Sequence, residues 1–170
     1  MQIYFIAPTG FGVGLTSTSL GLLRALEQGG LKIGFCKPIA QHHPGDTGPE
    51  QSSELITRTF AIEPPAPMPL EQTEKYLGDG QLDDLLEQIV QRFHQAAEGK
   101  DVMVVEGMVP TRTVSYAARL NAALASSLGA DVILVAAPED GNVSALADSR
   151  WSPRCRTAAS NRPDTARTCP

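Results

Sequence analysis

A glycine-rich segment near the N-terminus, PTGFGVGLTSTSL (residues 8–20), has the residue types of a phosphate-binding loop with one departure. A P-loop carries a lysine between its last glycine and a serine or threonine, and that lysine contacts the β- and γ-phosphates. Gly14 and Thr16 are present here, but Leu15 occupies the lysine position. This degenerate Walker A loop keeps backbone amides that favour an anion and lacks the charge on which phosphoryl transfer relies.

The glycines Gly10, Gly12 and Gly14 allow the backbone to turn tightly and to approach a phosphate closely. Their spacing favours descent from an anion-binding loop over a purely structural turn, and it leaves open whether binding persists. Thr16 could bind Mg²⁺ or cap the following helix. The next hydroxyl residues are interpreted as first-turn helix residues: Ser17, Thr18 and Ser19.

Two residues from other parts of the chain could complete such a site. Glu106 ends the apolar run VMVVE, which is typical of a Walker B strand whose carboxylate holds Mg²⁺. Gly107 would let the chain leave that strand sharply. Lys37 ends a second apolar run, and it is either a partial substitute for the missing lysine or a solvated strand-end residue. Together with the loop, these residues predict a vestigial nucleotide or anion site.

Other chemically capable residues give weaker signals. Asp46 and Glu50 are possible further acids, although a solvated loop face is the preferred interpretation for both. His42 and His43 are adjacent in a loop rich in proline and glycine, so we interpret them as surface residues. Cys36 lies in an apolar run and is expected to be an inert small hydrophobe. The sequence predicts no nucleophile–base pair and no metal site.

The elements that must position these residues alternate between strand and helix. Apolar runs predict four strands, at Gln2–Ala7, Lys32–Lys37, Asp101–Val105 and Asp131–Ala136. Helical periodicity predicts four helices, at 16–28, Gln51–Phe60, 82–93 and Ser115–Leu128. This order predicts an α/β fold with a mostly parallel sheet covered by helices on both faces, which is a three-layer domain. Ligands of such sheets bind at the carboxyl ends of the strands, where the loop 8–16, Lys37 and Glu106 fall.

The amino-acid composition indicates which classes of protein fit this chain. The 170 residues are 42% hydrophobic, which suits one globular domain and excludes wholesale disorder. We expect a cytoplasmic protein with no membrane partner, because there is no apolar run of transmembrane length and no signal-peptide pattern. Three cysteines without regular spacing suggest neither a disulfide framework nor a zinc site.

Charge is divided unevenly along the chain. Nine basic and 18 acidic residues precede Ser149, whereas the segment 149–170 has five arginines and one acid. An acidic body argues against nucleic acid as a partner.

The segment 149–170 also contains no Leu, Ile, Val, Phe or Met, so we expect it to be disordered. It is either a natural basic tail or the product of a reading-frame change near 147–149, and the abrupt break favours the second. The predicted domain therefore covers residues 1–148.

Three segments resemble one family: PTGFGVGLTSTSLGLLRALE (8–27), FCKPIAQ (35–41) and VVEGMVPTR (104–112). They are similar to the N-terminal domain of the long form of bacterial phosphate acetyltransferase, over about residues 1–148. VEGMVPTR is the more specific motif, and KPIAQ in register with it strengthens the match. That domain is itself similar to dethiobiotin synthetase, a P-loop enzyme that retains the loop lysine. The resemblance therefore implies a doubly wound, mostly parallel sheet in a three-layer, P-loop NTPase-like domain. The lysine is typically absent from the long phosphate acetyltransferases, as at Leu15 here.

The resemblance implies that the loop was inherited from an ATP-using ancestor and turned to a structural or sensing role. Phosphate acetyltransferase exchanges an acetyl group between coenzyme A and phosphate without ATP. Its catalytic residues belong to a separate C-terminal domain that nothing here matches, so no catalytic residue is carried over. The ancestral nucleotide site maps onto six positions: Gly10, Gly12, Gly14, Thr16, Lys37 and Glu106.

The resemblance therefore predicts a regulatory or assembly domain, truncated from a phosphate acetyltransferase, with no required cofactor and at most weak nucleotide or anion binding. A small-molecule effector and a homo-oligomeric full-length protein are the expected partners. Two alternatives stay open. One is an active ATP-dependent ligase resembling dethiobiotin synthetase or the cobyric acid amide ligases, which Leu15 disfavours. The other is a stand-alone binding module with a basic tail.

Overall fold

Four strands form one sheet in which every pairing is parallel. A computed structural model describes residues 1–41, 50–111 and 114–137. Its strands are β1 (Gln2–Pro8), β2 (Ile33–Cys36), β3 (Val102–Glu106) and β4 (Asp131–Val135). They lie in the order β2-β3-β1-β4, so β1 pairs with both β3 and β4. The predicted parallel sheet is confirmed.

In the part of the chain that the structure describes, five helices lie between the strands. They are α1 (Leu15–Gln28), α2 (Gln51–Phe60), α3 (Leu70–Gly78), α4 (Leu82–Ala97) and α5 (Ala117–Ser127). Four of them match predicted helices to within a few residues. The helix α3 is not among the predicted ones; it is nine residues long, and Thr73 is its one fully buried residue, while Leu70 and Leu77 are partly buried against the core.

The strands place alternate side chains into two hydrophobic clusters, one on each face of the sheet. On one face, Phe5 and Met103 pack with apolar residues of α4 and α5. On the other face, Ile6 and Val104 pack with apolar residues of α1 and α2. A sheet covered by helices on both faces is the predicted three-layer α/β arrangement.

The turn from β1 into α1 needs glycine at two positions. Gly12 and Gly14 have φ values of +71° and +80°, a region that side chains with a Cβ rarely adopt. The amide of Thr9 donates to the carbonyl of Val135 at 2.9 Å, which fixes the start of the loop beside β4. Gly14 is the N-cap residue of α1, and no side chain caps this helix. Of the two roles considered for Thr16, that of helix cap is therefore wrong.

No helix within the described stretches is long and apolar enough to cross a membrane. Several sequence-based interpretations fall outside those stretches and remain predictions. They concern His42, His43 and Asp46, the proposed domain boundary at 148/149, and the disorder of 149–170.

Candidate anion site at the carboxyl ends of the strands

A cavity of about 660 Å³ opens at the carboxyl ends of the strands. Its walls are the glycine loop, the ends of β2 and β3, the first turns of α1 and α2, and the segment that follows β3. Its volume lies in the range of pockets that hold small molecules. All six residues predicted for the nucleotide or anion site line it: Gly10, Gly12, Gly14, Thr16, Lys37 and Glu106.

Lys37 and Glu106 form a buried ion pair at the floor of this cavity. The Lys37 ammonium lies 3.0 Å from Oε1 of Glu106, and the two side chains are 3% and 1% exposed. Lys37 also donates to the carbonyl oxygen of Gly107 at 2.9 Å. Of the two interpretations of Lys37, the solvated strand-end lysine is excluded. The Lys37 side chain instead extends from the end of β2 to the end of β3.

Hydroxyl groups from two helices complete the surroundings of Glu106. Ser52, in the first turn of α2, donates to Oε1 at 2.8 Å. Ser19, in α1, donates to Oε2 at 2.8 Å. Thr16 lies 3.0 Å from the Ser52 hydroxyl and 3.5 Å from Oε1 of Glu106. The carboxylate therefore joins four elements of the fold through hydrogen bonds.

Sequence reasoning missed two of these donors, Ser19 and Ser52. Ser19 was interpreted only as a first-turn helix residue, yet its hydroxyl is fully buried. Its spacing of three from Thr16 was a usable signal, because residues three apart lie on the same face of a helix. Ser52 offered no such signal, since only the folded chain brings α2 against the end of β3.

Leu15, at the position of the P-loop lysine, is part of the core. Its side chain is 6% exposed, and it belongs to the hydrophobic cluster that contains Ile6 and Leu23. It also contributes to the cavity wall. Where the loop meets α1, the apolar side chain of Leu15 thus occupies the position of the P-loop lysine. It packs in the hydrophobic cluster and supplies no positive charge.

The position of Gly107, directly after β3, leaves no room for a side chain. A Cβ on this residue would lie 2.8 Å from Cε1 of Phe5 and 2.9 Å from Oδ1 of Asn121. Its amide also donates to the carbonyl of Ile6 at 2.9 Å. Lack of space, rather than a left-handed turn, therefore selects glycine after β3.

Two side-chain amides hold the segment that follows Gly107. Asn121 both accepts from the amide of Met108 and donates to its carbonyl, each at 2.8 Å. Gln41 does the same with Val109, accepting at 2.6 Å and donating at 3.0 Å. Gln41, the last residue of KPIAQ, therefore links this motif to the backbone of VEGMVPTR.

Two further predicted residues have well-defined places. Glu50 was expected on a solvated face, but it is 6% exposed and lines the cavity. It is the N-cap residue of α2 and accepts from the amide of Ser53 at 2.8 Å, so the solvated interpretation is wrong. Burial raises the pKa of the Cys36 thiol to about 12, against a small opposing effect of Arg92. A thiol with so high a pKa is a poor nucleophile at neutral pH, which agrees with the inert role expected for it.

A parallel three-layer α/β domain with a glycine loop between β1 and α1 and an acid at the end of β3 has the architecture of P-loop NTPases. The profile of a family described as "AAA domain" matches residues 2–149. The chain belongs to this family.

Several similar proteins share a name. The chain is 65% identical over 148 residues to the phosphate acetyltransferase of Pseudomonas aeruginosa, which covers 87% of this chain and 21% of that protein. It is 64% identical over 148 residues to the phosphate acetyltransferase of Nitrosomonas europaea, with the same coverage. The phosphate acetyltransferase of Haemophilus influenzae is 39% identical over 143 residues, 84% of this chain and 20% of that protein.

The chain therefore spans about a fifth of the length of these relatives. Such coverage is consistent with one N-terminal domain of the long form, and it confirms the resemblance that the motifs indicated.

Proposed function

We propose that this chain is the N-terminal regulatory or assembly domain of a phosphate acetyltransferase, and that its cavity binds a small anionic effector. The observation that carries this proposal is the combination of a formed cavity with the loss of the loop lysine. The buried polar network around Glu106 is intact, whereas Leu15 has joined the core. A site of this kind can hold a ligand and has lost the group that drives phosphoryl transfer.

The family reaction, acetyl-CoA and phosphate to acetyl phosphate and coenzyme A, belongs in this proposal to another part of the full-length protein. Among the described residues that line the cavity there is no histidine or cysteine. The hydroxyl groups of Ser19 and Ser52 donate to the Glu106 carboxylate, which also forms an ion pair with Lys37, and in this proposal they hold that side chain in place. The domain is proposed to act in the cytoplasm within a homo-oligomer, without nucleic acid or membrane.

The charges and apolar groups of the cavity support an effector of low charge. The charged residues among its described lining are Lys37, Glu50 and Glu106. Part of the wall is apolar and includes Leu55 and Val114. A polyanion such as ATP meets little compensating charge here, so ATP is expected to bind weakly. This expectation separates the proposal from the alternative of an ATP-dependent ligase.

A chimera tests the proposal. Residues 1–148 replace the matching segment of the Pseudomonas aeruginosa relative, and the rate of acetyl-CoA formation is measured with a panel of small carboxylates and nucleotides. Leu55, which is 43% exposed and lines the cavity, is changed to Trp to fill the space. Leu31, which is 39% exposed and is not among the lining residues, is changed to Trp as the matched control.

We expect an anion that alters the rate or the oligomeric size of the chimera, and we expect Leu55→Trp but not Leu31→Trp to weaken that response. The proposed effector site is contradicted if no anion in the panel changes either property. Hydrolysis of ATP–Mg²⁺ by the chimera at a rate lost on Leu55→Trp would instead favour the ligase alternative.

A further inference from the structure

P-loop folds use a divalent metal beside the acid that ends the central strand, so the fit of Mg²⁺ to Glu106 can be judged from its neighbours. An ionised carboxylate has about four sites at which it accepts a hydrogen bond. Three close donors already contact Glu106, from Lys37, Ser52 and Ser19, and Thr16 lies at 3.5 Å. The carboxylate has little capacity left for a metal, so its surroundings do not fit a Mg²⁺ ligand.

The charge beside Glu106 leads to the same conclusion. The Lys37 ammonium already neutralises this carboxylate in a place from which water is largely excluded. A divalent cation brought to the same oxygen would be repelled by the ammonium, and repulsion is strong where the dielectric constant is low. No group of three or more His, Cys, Asp or Glu in 1–41, 50–111 and 114–137 is arranged to hold a metal.

One N–H group of the Lys37 ammonium is left for a further hydrogen bond. An ammonium has three N–H groups, and two of them are directed to Glu106 and to the carbonyl of Gly107. The side chain lines the cavity next to the glycine loop. Its third N–H can therefore serve an anion held by the amides of the loop.

We propose that the Lys37 ammonium takes the place of the divalent metal at Glu106. Its remaining N–H donates a hydrogen bond to the bound anion. The site then binds its anion without Mg²⁺, and Glu106 positions Lys37 rather than a metal. This inference rests on the proposed effector site for its second half. Its first half, the exclusion of a metal by Lys37, concerns the chain alone.

The exclusion of a metal by Lys37 is tested by measuring Mn²⁺ binding. Bound Mn²⁺ is detected as a loss of the free-ion signal in electron paramagnetic resonance. Four forms of the full chain are compared: native, Lys37→Met, Glu106→Gln, and Lys37→Met with Glu106→Gln. Lys37→Met frees the carboxylate, so we expect it to bind Mn²⁺ at least about tenfold more tightly than the native chain does, and the double variant to lose that gain. Equal binding by the native chain and Lys37→Met would overturn the inference, as would a native site lost on Glu106→Gln.

A second measurement uses only the native chain and so does not depend on variants that fold poorly. Calorimetric titration with inorganic phosphate, a small anion of low charge, is run once in EDTA and once with Mg²⁺. We expect binding in EDTA that Mg²⁺ does not tighten. Binding that appears only with Mg²⁺ would overturn the inference. Absence of phosphate binding in both titrations would contradict the anion-donating role of Lys37 and the proposed effector site, while the Mn²⁺ comparison would still decide what excludes the metal.

Discussion

Lys37 at the end of β2 and Glu106 at the end of β3 are joined by an ion pair of 3.0 Å whose side chains are 3% and 1% exposed. Removing one partner of a buried pair leaves an uncompensated charge, which typically costs about 3–5 kcal/mol of folding stability. We expect Lys37→Met and Glu106→Gln each to lower the free energy of unfolding by an amount of this order. Urea denaturation of the chain and its variants measures the loss.

The double variant is the control for this ion-pair prediction. When both charges are removed together, neither is left unpaired, so we expect the double variant to lose clearly less than the sum of the single losses. Additive losses would mean that the two charges do not stabilise each other in the folded chain.

The crowding around Gly107 predicts a steric effect. A methyl group there would approach Phe5 and Asn121 to less than 3.0 Å, so Gly107→Ala should destabilise the chain by about 1–3 kcal/mol. Gly21 is the matched control, because it lies inside α1 with nothing within 4 Å of an added Cβ. Gly21→Ala should stabilise the chain by about 0.5–1 kcal/mol, since alanine is the better helix former. Thermal unfolding of both variants checks the signs, and a loss of equal size in both would contradict the explanation.

The missing loop lysine predicts weak nucleotide binding that one substitution improves. Leu15→Lys restores a charge-assisted hydrogen bond to phosphate, and we expect it to strengthen ATP binding by about 1.5–3 kcal/mol, which is about tenfold or more in the dissociation constant. Calorimetric titration of both chains with ATP–Mg²⁺ measures the change. Because Leu15 is 6% exposed in the core, Leu15→Met is the control for disturbed packing.

Two results would revise this account of Leu15. Low-micromolar binding of ATP–Mg²⁺ by the native chain would mean that another group replaces the lysine, and the ligase alternative would regain support. Absence of binding by both chains would mean that the loop has lost its phosphate-binding geometry and acts only as a turn.

The sheet and most of its helices were predictable because their signals are local. The apolar runs of β1 and β3 and the leucine spacing of α4 each depend on neighbouring residues. The helix α3 was missed although Leu70, Tyr76 and Leu77 pack against the core, because it is only nine residues long and these side chains are only partly buried.

Three members of the polar network, Thr16, Lys37 and Glu106, were identified from the sequence. Lys37 and Glu106 end apolar runs, and that position marked them as candidates. Ser19 and Ser52 lie 87 and 54 residues from Glu106 in the sequence, so only tertiary packing brings them to its carboxylate. Asn121 was missed for the same reason, because its partner is the backbone of Met108 rather than a side chain with a recognisable pattern.

Alkaline pH should destabilise the chain partly through Cys36. Burial raises the pKa of its thiol from 9.0 to about 12, so the folded state disfavours the thiolate. The stability that this neutral thiol contributes is complete below pH 9 and is lost as the pH rises toward 12. We therefore expect the native chain to lose stability relative to Cys36→Val across this interval. Urea denaturation at several alkaline pH values measures the difference, and a difference independent of pH would contradict the assignment.

The central claim is that this domain regulates or assembles a phosphate acetyltransferase and does not perform the chemistry. The most direct test is the rate of acetyl-CoA formation from acetyl phosphate and coenzyme A by three forms of the Pseudomonas aeruginosa relative. These are the intact protein, the protein without the matched segment, and the protein with residues 1–148 of this chain in its place. We expect removal of the segment to leave turnover but to change the oligomeric size or the response to effectors, and we expect the replacement to restore both. Turnover that disappears on removal while the oligomeric size is unchanged, together with turnover by the chain alone, would contradict the claim.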